Sequence, residues 1–390
     1  MINERLMRLE VALWQARPHA VADTAVQAII SGFGADGAEI YLVDYQLAYL
    51  VSTAAGREPL RIEQTLAGRA FAAQSTIAED DGRRLHLPLT VYGDRLGVLT
   101  VTLATPLGPE GQDGLEAAAT ILARTLAVAD ARTDTFRRIR RRNRLTLAAE
   151  IQWELLPGRS CVSDEFELAG QLEPAYAVWG DNFDWAAAPD HLLVSVTNGM
   201  GQGIDAALLT QLTIGALRNA RRSGSGLTEQ AALASQAVYA QHAGDQYVGT
   251  LLLRFDLNTG RVQAIDAGSP LLYRLRGATV TPITLDSQLP LGMFNDTEYV
   301  TEEFTLEPAD RLFIVSDGVS DSLAPNGITY GATALTAAFK ATRMQNPPEV
   351  VRTLMREMIA YIDDAQPTDD AVIVCLDWHG RQTLHHSDSS

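Results

Sequence analysis

The chain has 390 residues, of which 46% are hydrophobic and 20% charged, and this composition favours a folded protein of two domains. The formal net charge of −17 disfavours nucleic-acid binding, because such binding neutralises phosphates with lysine and arginine. The sequence has no signal peptide, no apolar run long enough for a transmembrane segment and only two cysteines, Cys161 and Cys375, so we expect a cytoplasmic protein without disulfides.

Residues 1–130 predict a small domain that contains helices and an antiparallel sheet. Residues 3–14 carry apolar side chains at helical spacing, and residues 38–56 predict two strands joined by a turn. Residues 85–103 predict a hairpin that turns at Gly93-Asp94.

A long helix is predicted to connect this domain to the rest of the chain. Because no proline occurs between residues 115 and 156, we expect the helix to continue through a linker at 131–158. Leu115, Leu122, Ala129 and Phe136 recur every seven residues, which is the spacing of a coiled-coil seam and predicts a parallel dimer. The basic run FRRIRRRNR at 136–144 is either a binding patch for a membrane or nucleic acid or, as we favour, a solvated helix face.

Residues 159–378 predict a second domain of mixed α and β structure. Strand-like apolar runs are interrupted by helical stretches near residues 206–222, 229–242 and 348–363, without the regular alternation of a parallel sheet. The polar segment 379–390 is predicted to be a disordered tail.

Acidic and amide residues recur in the second domain where apolar strands begin or end. They are Asp181 in VWGDNFD, Asn198 after HLLVSVT, Asp317 after RLFIVS, and Asp369 and Asp370 in PTDDAVIV. A single aspartate at such a place is ordinarily a turn former or a helix cap. Several carboxylates in one domain repel each other unless a cation lies between them, and Mg²⁺ and Mn²⁺ prefer such oxygen ligands. Since no histidine is placed with a serine or cysteine as a nucleophile pair, the sequence predicts metal-assisted hydrolysis.

Seven segments of the second domain carry a family resemblance through their order. They are EIQWELLPG at 150–158, LEPAYAVWGDNFDW around Asp181, NGMGQGIDAALL from Asn198, AGSPLLYR from Ala267, LPLGM from Leu289, EPADRLFIVSDGVSDSLAPNGITYG from Glu307, and TDDAVIVCL from 368. Together they resemble the SpoIIE/RsbU branch of the metal-dependent PP2C-type protein serine/threonine phosphatases.

The resemblance implies an α+β fold in which a pair of β-sheets is flanked by helices, with a dinuclear Mg²⁺ or Mn²⁺ site at one edge. The metals would activate a water for attack on phosphorus, so no catalytic residue beyond metal-bound water and no organic cofactor are expected. The implied metal ligands are Asp181, Asp317, Asp369, the residue at position 198 and the backbone carbonyl of Gly199, with Asp370 and Asp184 as further candidates.

Asn198 departs from the family pattern, which usually has aspartate there. An amide oxygen can bind a hard cation but brings no charge, which at an effective dielectric constant of about 20 would lower metal affinity by several kcal/mol. Trp179, Gln202 and Ser269 depart as well, from a glycine and two histidines.

Because of these departures, two functions remain open. One is a phosphatase acting on a phosphorylated STAS-type anti-sigma-factor antagonist, and the other is a catalytically impaired pseudophosphatase that binds a partner.

The first domain resembles a GAF domain in EIYLVDYQ, TLAGRAFAAQ and LPLTVYGDRLGVLTV. The resemblance implies a regulatory module, which either binds an unknown small molecule or is purely structural. It also implies that a homodimer forms through the linker helix, the GAF-like domain or both.

Overall fold

The computed structural model of the chain describes residues 2–142, 146–174, 179–268, 270–363 and 367–381. The chain divides into two compact units, Met1–Arg144 and Leu145–Ser390. Both units combine helices with antiparallel sheets, which confirms the predicted α+β class. Within the described ranges, no helix combines the length and the apolar character needed to cross a membrane.

The N-terminal unit is a six-stranded antiparallel sheet with helices on both faces. Its helices are α1 (Ile2–Gln15), α2 (Val21–Phe33), α3 (Leu66–Ala73), α4 (Pro109–Asp130) and α5 (Thr135–Arg140). Its strands are β1 (Ala35–Val43), β2 (Tyr49–Ser52), β3 (Leu60–Arg61), β4 (Ile77–Ala78), β5 (Arg84–Val91) and β6 (Asp94–Leu103). In the sheet they lie in the order β3-β2-β1-β6-β5-β4. Helices α1, α2 and α4 cover one face and α3 covers the other. The predicted hairpin is confirmed, with its turn at Tyr92-Gly93, one residue earlier than expected, where both φ angles are positive as in a type I′ turn.

The segment after residue 130 differs from the expected continuous helix. Helix α4 ends at Asp130, α5 is a separate short helix, and α6 (Leu147–Leu155) begins the second unit. Thr133, Asp134 and Thr135 lie at the interruption, and the Thr133 hydroxyl accepts a hydrogen bond from the Thr135 backbone, a local alternative to helical bonding. The chain thereby turns back and buries Phe136 in the core of its own unit.

The heptad residues Leu115, Leu122, Ala129 and Phe136 are all buried in this core against α1, α2 and the sheet. Their periodicity thus records packing within the unit, and their side chains are not available as a coiled-coil seam. The following arginines also contact their own unit, since Arg140 donates to the carbonyl of Val43 and lies over the Tyr45 ring.

We expect Phe136→Ala to lower the free energy of unfolding by about 3–5 kcal/mol, because it removes a buried aromatic side chain and leaves a cavity. Urea unfolding of the full chain, followed by circular dichroism, measures the change. Val128→Ala on α4 is the control, since Val128 is 68% exposed and should change stability by less than about 0.5 kcal/mol. A loss no larger for Phe136→Ala than for the control would show that Phe136 is not a core residue.

The C-terminal unit contains two antiparallel sheets and helices α6 to α12. The five-stranded sheet has the order β15-β12-β11-β10-β9, and the six-stranded sheet has the order β14-β13-β16-β17-β8-β7. The strands are β7 (Ser160–Val162), β8 (Phe166–Glu173), β9 (Asp181–Ala187), β10 (His191–Gly199), β11 (Val248–Asp256), β12 (Arg261–Ala267), β13 (Leu271–Arg276), β14 (Thr279–Pro282), β15 (Glu302–Thr305), β16 (Arg311–Val315) and β17 (Ala371–Trp378). The remaining helices are α7 (Gly203–Arg222), α8 (Leu227–His242), α9 (Asp317–Ser320), α10 (Tyr330–Thr333), α11 (Leu335–Ala341) and α12 (Pro347–Tyr361).

The two sheets face each other and helices cover their outer faces. Phe183 of β9 lies so close to Gly170 of β8 that a Cβ atom at position 170 would be 2.7 Å from the Phe183 ring. Helices α7 and α8 pack on the five-stranded sheet, and α11 and α12 pack on the six-stranded sheet. This arrangement confirms the expected β-sandwich flanked by helices. Of the predicted tail, residues 382–390 lie outside the described residues.

Candidate metal centre

The predicted acidic and amide residues lie at neighbouring strand ends. Asp181, the first residue of β9, is the cross-strand partner of Asn198 near the end of β10. Beside the other sheet, Asp317 begins α9, separated from the end of β16 by Ser316, and Asp370 directly precedes β17. Because β16 and β17 are paired up to Val315 and the backbone N–H of Ser316 donates to Val372, these two positions also adjoin.

Asp181 has the most unusual environment of the group. Its side chain is 0% exposed and lies on the same face of β9 as Phe183, between the sheets. Among the residues the structure describes, neither carboxylate oxygen has a donor in hydrogen-bonding geometry. Burial, and then the charge of Asp370, raise the pKa of Asp181 well above its ordinary value, and the nearby Ser316 hydroxyl offsets this only in part. A buried carboxyl in this position requires either a proton or a cation.

Asn198 and Asp317 are joined directly across the two sheets. The Asn198 amide Nδ2 donates to Asp317 Oδ1 at 2.7 Å, and the backbone N–H of Gly318 donates to the same oxygen at 3.0 Å. Burial raises the pKa of Asp317, although both hydrogen bonds act in the opposite direction. Because the Asn198 amide is uncharged and donates to Asp317, it avoids the repulsion that a carboxylate at position 198 would create.

Asp369 and Asp370 differ in what they contact. Asp369 Oδ1 accepts the backbone N–H of Asp370 at 2.7 Å, and burial and the charge of Asp317 raise the pKa of Asp369 to about 6. Asp370 Oδ2 accepts the backbone N–H groups of Trp179 at 2.8 Å and Gly180 at 2.9 Å, and the side-chain amide of Gln152 at 2.7 Å. One oxygen of Asp370 is therefore fully occupied by protein donors.

Gly199 lies where the backbone must come close to its neighbours. Its N–H donates to the carbonyl of Gly180 at 3.2 Å, and the Thr210 hydroxyl of α7 donates to the same carbonyl at 2.6 Å. A Cβ atom at position 199 would be 2.6 Å from the Thr210 hydroxyl oxygen, which explains the requirement for glycine. The ends of β9 and β10 and the start of α7 are fixed together by these contacts.

Asp184 does not join the other carboxylates. It lies three residues after Asp181, so its side chain is on the opposite face of β9. There its two oxygens bind Arg218 at 2.7 Å and Arg221 at 2.8 Å, both on α7. Asp184 therefore attaches α7 to the sheet, and the structure gives it no place in the centre.

We expect Asp184→Asn to lower the free energy of unfolding by about 1–3 kcal/mol, because two arginines would lose the charge of a buried partner. The same variant should keep the Mn²⁺ affinity of the wild type. Thermal unfolding and a Mn²⁺ titration of the full chain measure the two effects. A large loss of Mn²⁺ affinity at unchanged stability would place Asp184 in the centre after all.

The donor set fits a hard divalent cation by its chemistry, since it consists of carboxylates, an amide and backbone carbonyls. Within the described part of the chain, no three His, Cys, Asp or Glu side chains converge as a formed cage. Asp317, Asp369 and Asp370 each accept a hydrogen bond from an N–H donor. Asp181, for which the described part of the chain offers neither oxygen a donor in hydrogen-bonding geometry, is the residue that supports a cation here.

Sequence reasoning missed two contributors to this centre. Gln152 donates to Asp370, and Ser316 lies beside Asp181 while its hydroxyl donates to the carbonyl of Asp370. The sequence could have indicated Gln152, since it lies on the same helical face as the buried Ala148 and Ala149, and a buried polar side chain normally has a hydrogen-bond partner. Of the noted departures, Trp179 donates its backbone N–H to Asp370, and Ser269 lies outside the described residues.

Comparison with known proteins matches residues 188–379 to the family described as Stage II sporulation protein E (SpoIIE). Protein IcfG of Synechocystis is 21% identical over 272 residues, which are 60% of this chain and 42% of that protein. Stage II sporulation protein E of Bacillus subtilis is 27% identical over 186 residues, which are 47% of this chain and 22% of that protein. The chain thus spans less than half the length of each of these curated relatives.

Among solved structures, the RsbU and RsbW domains of a Mycobacterium tuberculosis protein match with a TM-score of 0.50 and 19% identity, over 58% of this chain and 64% of that one. This likeness shows a shared fold. The matched family segment contains Asn198, Asp317, Asp369 and Asp370, but it begins after Asp181 and Gln152.

Proposed function

We propose that the C-terminal unit, whose residues 188–379 belong to the SpoIIE family of PP2C-type phosphatases, is a metal-dependent protein serine/threonine phosphatase. The observation that carries the proposal is the buried Asp181 carboxylate, which has no donor in hydrogen-bonding geometry among the described residues and whose pKa is raised by burial and by the charges of Asp370, Asp317 and Asp369. Folding that leaves a charged group in this condition costs several kcal/mol unless a ligand neutralises it. A divalent cation is the ligand that this set of oxygens would accept.

Asp181, Asp317 and Asp369 would hold one or two Mn²⁺ or Mg²⁺ ions, together with the amide oxygen of Asn198 and the carbonyl of Gly199. When bound, the metal would supply Lewis-acid stabilisation of the phosphoryl group and activation of a water. Asp370 would keep its three N–H donors and so hold Gly180 and Asp181 in position. Because Asp369 has a pKa of about 6, it would be ready to bind a cation above that pH without first losing a proton.

The substrate we propose is a phosphoserine or phosphothreonine of a STAS-type anti-sigma-factor antagonist, which is supported by the match to the SpoIIE family. The N-terminal unit would act as a GAF-like regulatory or dimerisation module, as its six-stranded sheet with helices on both faces supports. Tyr41 and Leu50 of the sheet pack with Phe71 of α3 in a buried apolar cluster, which favours a structural module over a ligand-binding one.

The second candidate function is a pseudophosphatase that binds a partner without turnover. The hydrogen bond from Asn198 Nδ2 to Asp317 Oδ1 favours it, because an amide donor there occupies an oxygen that a metal would otherwise use. Asp181 and Asp369 argue the other way, since their environments still suit a cation.

Phosphate release from a phosphoserine peptide by the full chain tests the proposal. We expect release with Mn²⁺ and none with a chelator. Mn²⁺ binding without release would support the pseudophosphatase, and absence of Mn²⁺ binding would contradict the metal-dependent phosphatase.

A further inference from the structure

Gln152 of α6 is a fully buried polar residue that contacts two parts of the candidate centre. Its side-chain amide donates one hydrogen bond to Asp370 Oδ2 at 2.7 Å and another to the backbone carbonyl of Asp181 at 3.1 Å. A glutamine amide has only two N–H donors, so both are used on the centre. Its carbonyl Oε1, by contrast, is buried without a donor among the described residues.

This pattern indicates that Gln152 serves the centre through the two N–H donors of its side-chain amide. A buried amide with an unsatisfied oxygen lowers stability, whereas an apolar side chain of the same size at this position would not. On the same face of α6, the small residues Ala148 and Ala149 pack on Ala207 of α7. Packing alone would thus be served better by methionine or leucine.

The position of Gln152 is fixed by the attachment of α6 at its C-terminal end. The last four carbonyls of a helix have no partner within it. Two of these carbonyls bind side chains of the unit, as Gln152 accepts from Asn182 Nδ2 at 3.0 Å and Leu155 accepts from Arg218. Helix α6 is therefore attached to β9 and α7 beside the centre.

The side chain of Asp370 links α6 to the residues at the start of β9. Asp370 Oδ2 binds Gln152, Trp179 and Gly180 at once, so it connects α6, the start of β9 and the start of β17. Gln152 is the side-chain donor in this group, and it also binds the backbone of Asp181 directly. Removing its N–H groups would loosen Asp370 and the backbone that carries Asp181 together.

We propose that Gln152 is a positioning residue of the metal centre, which holds Asp370 and the backbone of Asp181 in the arrangement that binds the cation. The inference rests on the proposed function. It makes α6 part of the centre, although α6 lies outside the segment 188–379 that defines the family match.

Gln152→Met tests the inference because methionine keeps the length and the helix propensity of glutamine but has no N–H donor. Titration calorimetry of the full chain with Mn²⁺ should show affinity weaker by about 10–100-fold, the usual effect of losing a residue that orients metal ligands. Gln230→Met is the matched control, since Gln230 is also buried and helical but donates to the carbonyl of Ser225. Its Mn²⁺ affinity should stay within about twofold of the wild type, because it orients no metal ligand.

Hydrogen exchange with a chelator present gives a readout that needs no metal. The backbone N–H groups of Trp179 and Gly180, which bind Asp370, should exchange faster in Gln152→Met than in Gln230→Met. Gln152→Asn, whose amide is one methylene too short for both contacts, should also weaken Mn²⁺ binding, and it decides the question if the methionine variant does not fold.

Equal Mn²⁺ affinities in the wild type and the Gln152 variants would overturn this inference and leave the proposed function intact. Equal losses in the Gln152 and Gln230 variants would overturn it as well, because they would reflect general packing. If the wild type binds no Mn²⁺ at all, the proposed function fails and this inference fails with it.

Discussion

Asp181→Asn is expected to reduce Mn²⁺ affinity by about a thousandfold, because one unit charge about 4 Å from another is worth about 4 kcal/mol at an effective dielectric constant of 20. Phosphate release should fall with it. Asp181 is the carboxylate that has no donor of its own among the described residues, so its charge is the one most available to a cation. A Mn²⁺ titration measures the first loss, and a phosphatase assay at a fixed Mn²⁺ concentration that just saturates the wild type measures the second.

The same variant should stabilise the chain when a chelator is present. The pKa of Asp181 is higher in the folded than in the unfolded chain, because burial and neighbouring carboxylates disfavour its charge. A group of this kind stabilises the folded state below its unfolded pKa, and that contribution is lost as pH rises through the folded pKa. The wild type should therefore lose stability above about pH 4, and the Asn variant should lose less.

Urea unfolding with a chelator at pH 5 and pH 8 measures this difference. At pH 8 we expect Asp181→Asn to be more stable than the wild type by about 1–3 kcal/mol, the cost of a poorly satisfied buried polar group. Asp184→Asn is the natural comparison, since Asp184 is equally buried on the same strand but bound by Arg218 and Arg221, and it should be destabilised. If both variants lost stability at pH 8, Asp181 would have to be paired within the protein.

Asn198→Asp is expected to raise Mn²⁺ affinity by about 10–100-fold and to increase phosphate release. The change adds a unit charge at the end of β10, opposite Asp181 in the sheet and in contact with Asp317, which favours a divalent ion by a few kcal/mol at an effective dielectric constant of about 20. With a chelator, the variant should be less stable than the wild type, because a 2.7 Å hydrogen bond to Asp317 is replaced by repulsion between carboxylates.

Asn258→Asp is the control for net charge, because Asn258 is exposed and follows the end of β11 that is remote from the centre. It should change neither Mn²⁺ affinity nor turnover. If the wild type turns over substrate and Asn198→Asp increases the rate, the amide is a working ligand. Turnover by the Asp variant alone would support the pseudophosphatase, and an unchanged affinity in Asn198→Asp would mean that position 198 does not contact the cation.

The sequence by itself determined the α+β class, several strands and the placement of Asp181, Asn198, Asp317 and Asp370 at strand ends. Strand positions could be predicted because alternation of apolar residues is a local property, and the hairpin β5–β6 needed only its turn residues. Asp317 and Asp370 could be grouped because each lies beside the end of an apolar strand, and the family resemblance implied a metal site at one edge of the sheets. The structure adds that β16 and β17 pair next to them.

Only the tertiary structure decided three further features. Leu115, Leu122, Ala129 and Phe136 form an apolar stripe that could pack on a second helix or on the chain's own sheet, and the stripe itself is the same in both cases. Asp181 and Asp184 are alike in sequence, but strand geometry places one between the sheets and the other against two arginines. Gln152 reaches Asp370 across 218 positions of the chain. Contacts of this kind depend on how distant elements pack, and no local pattern of residue types encodes them.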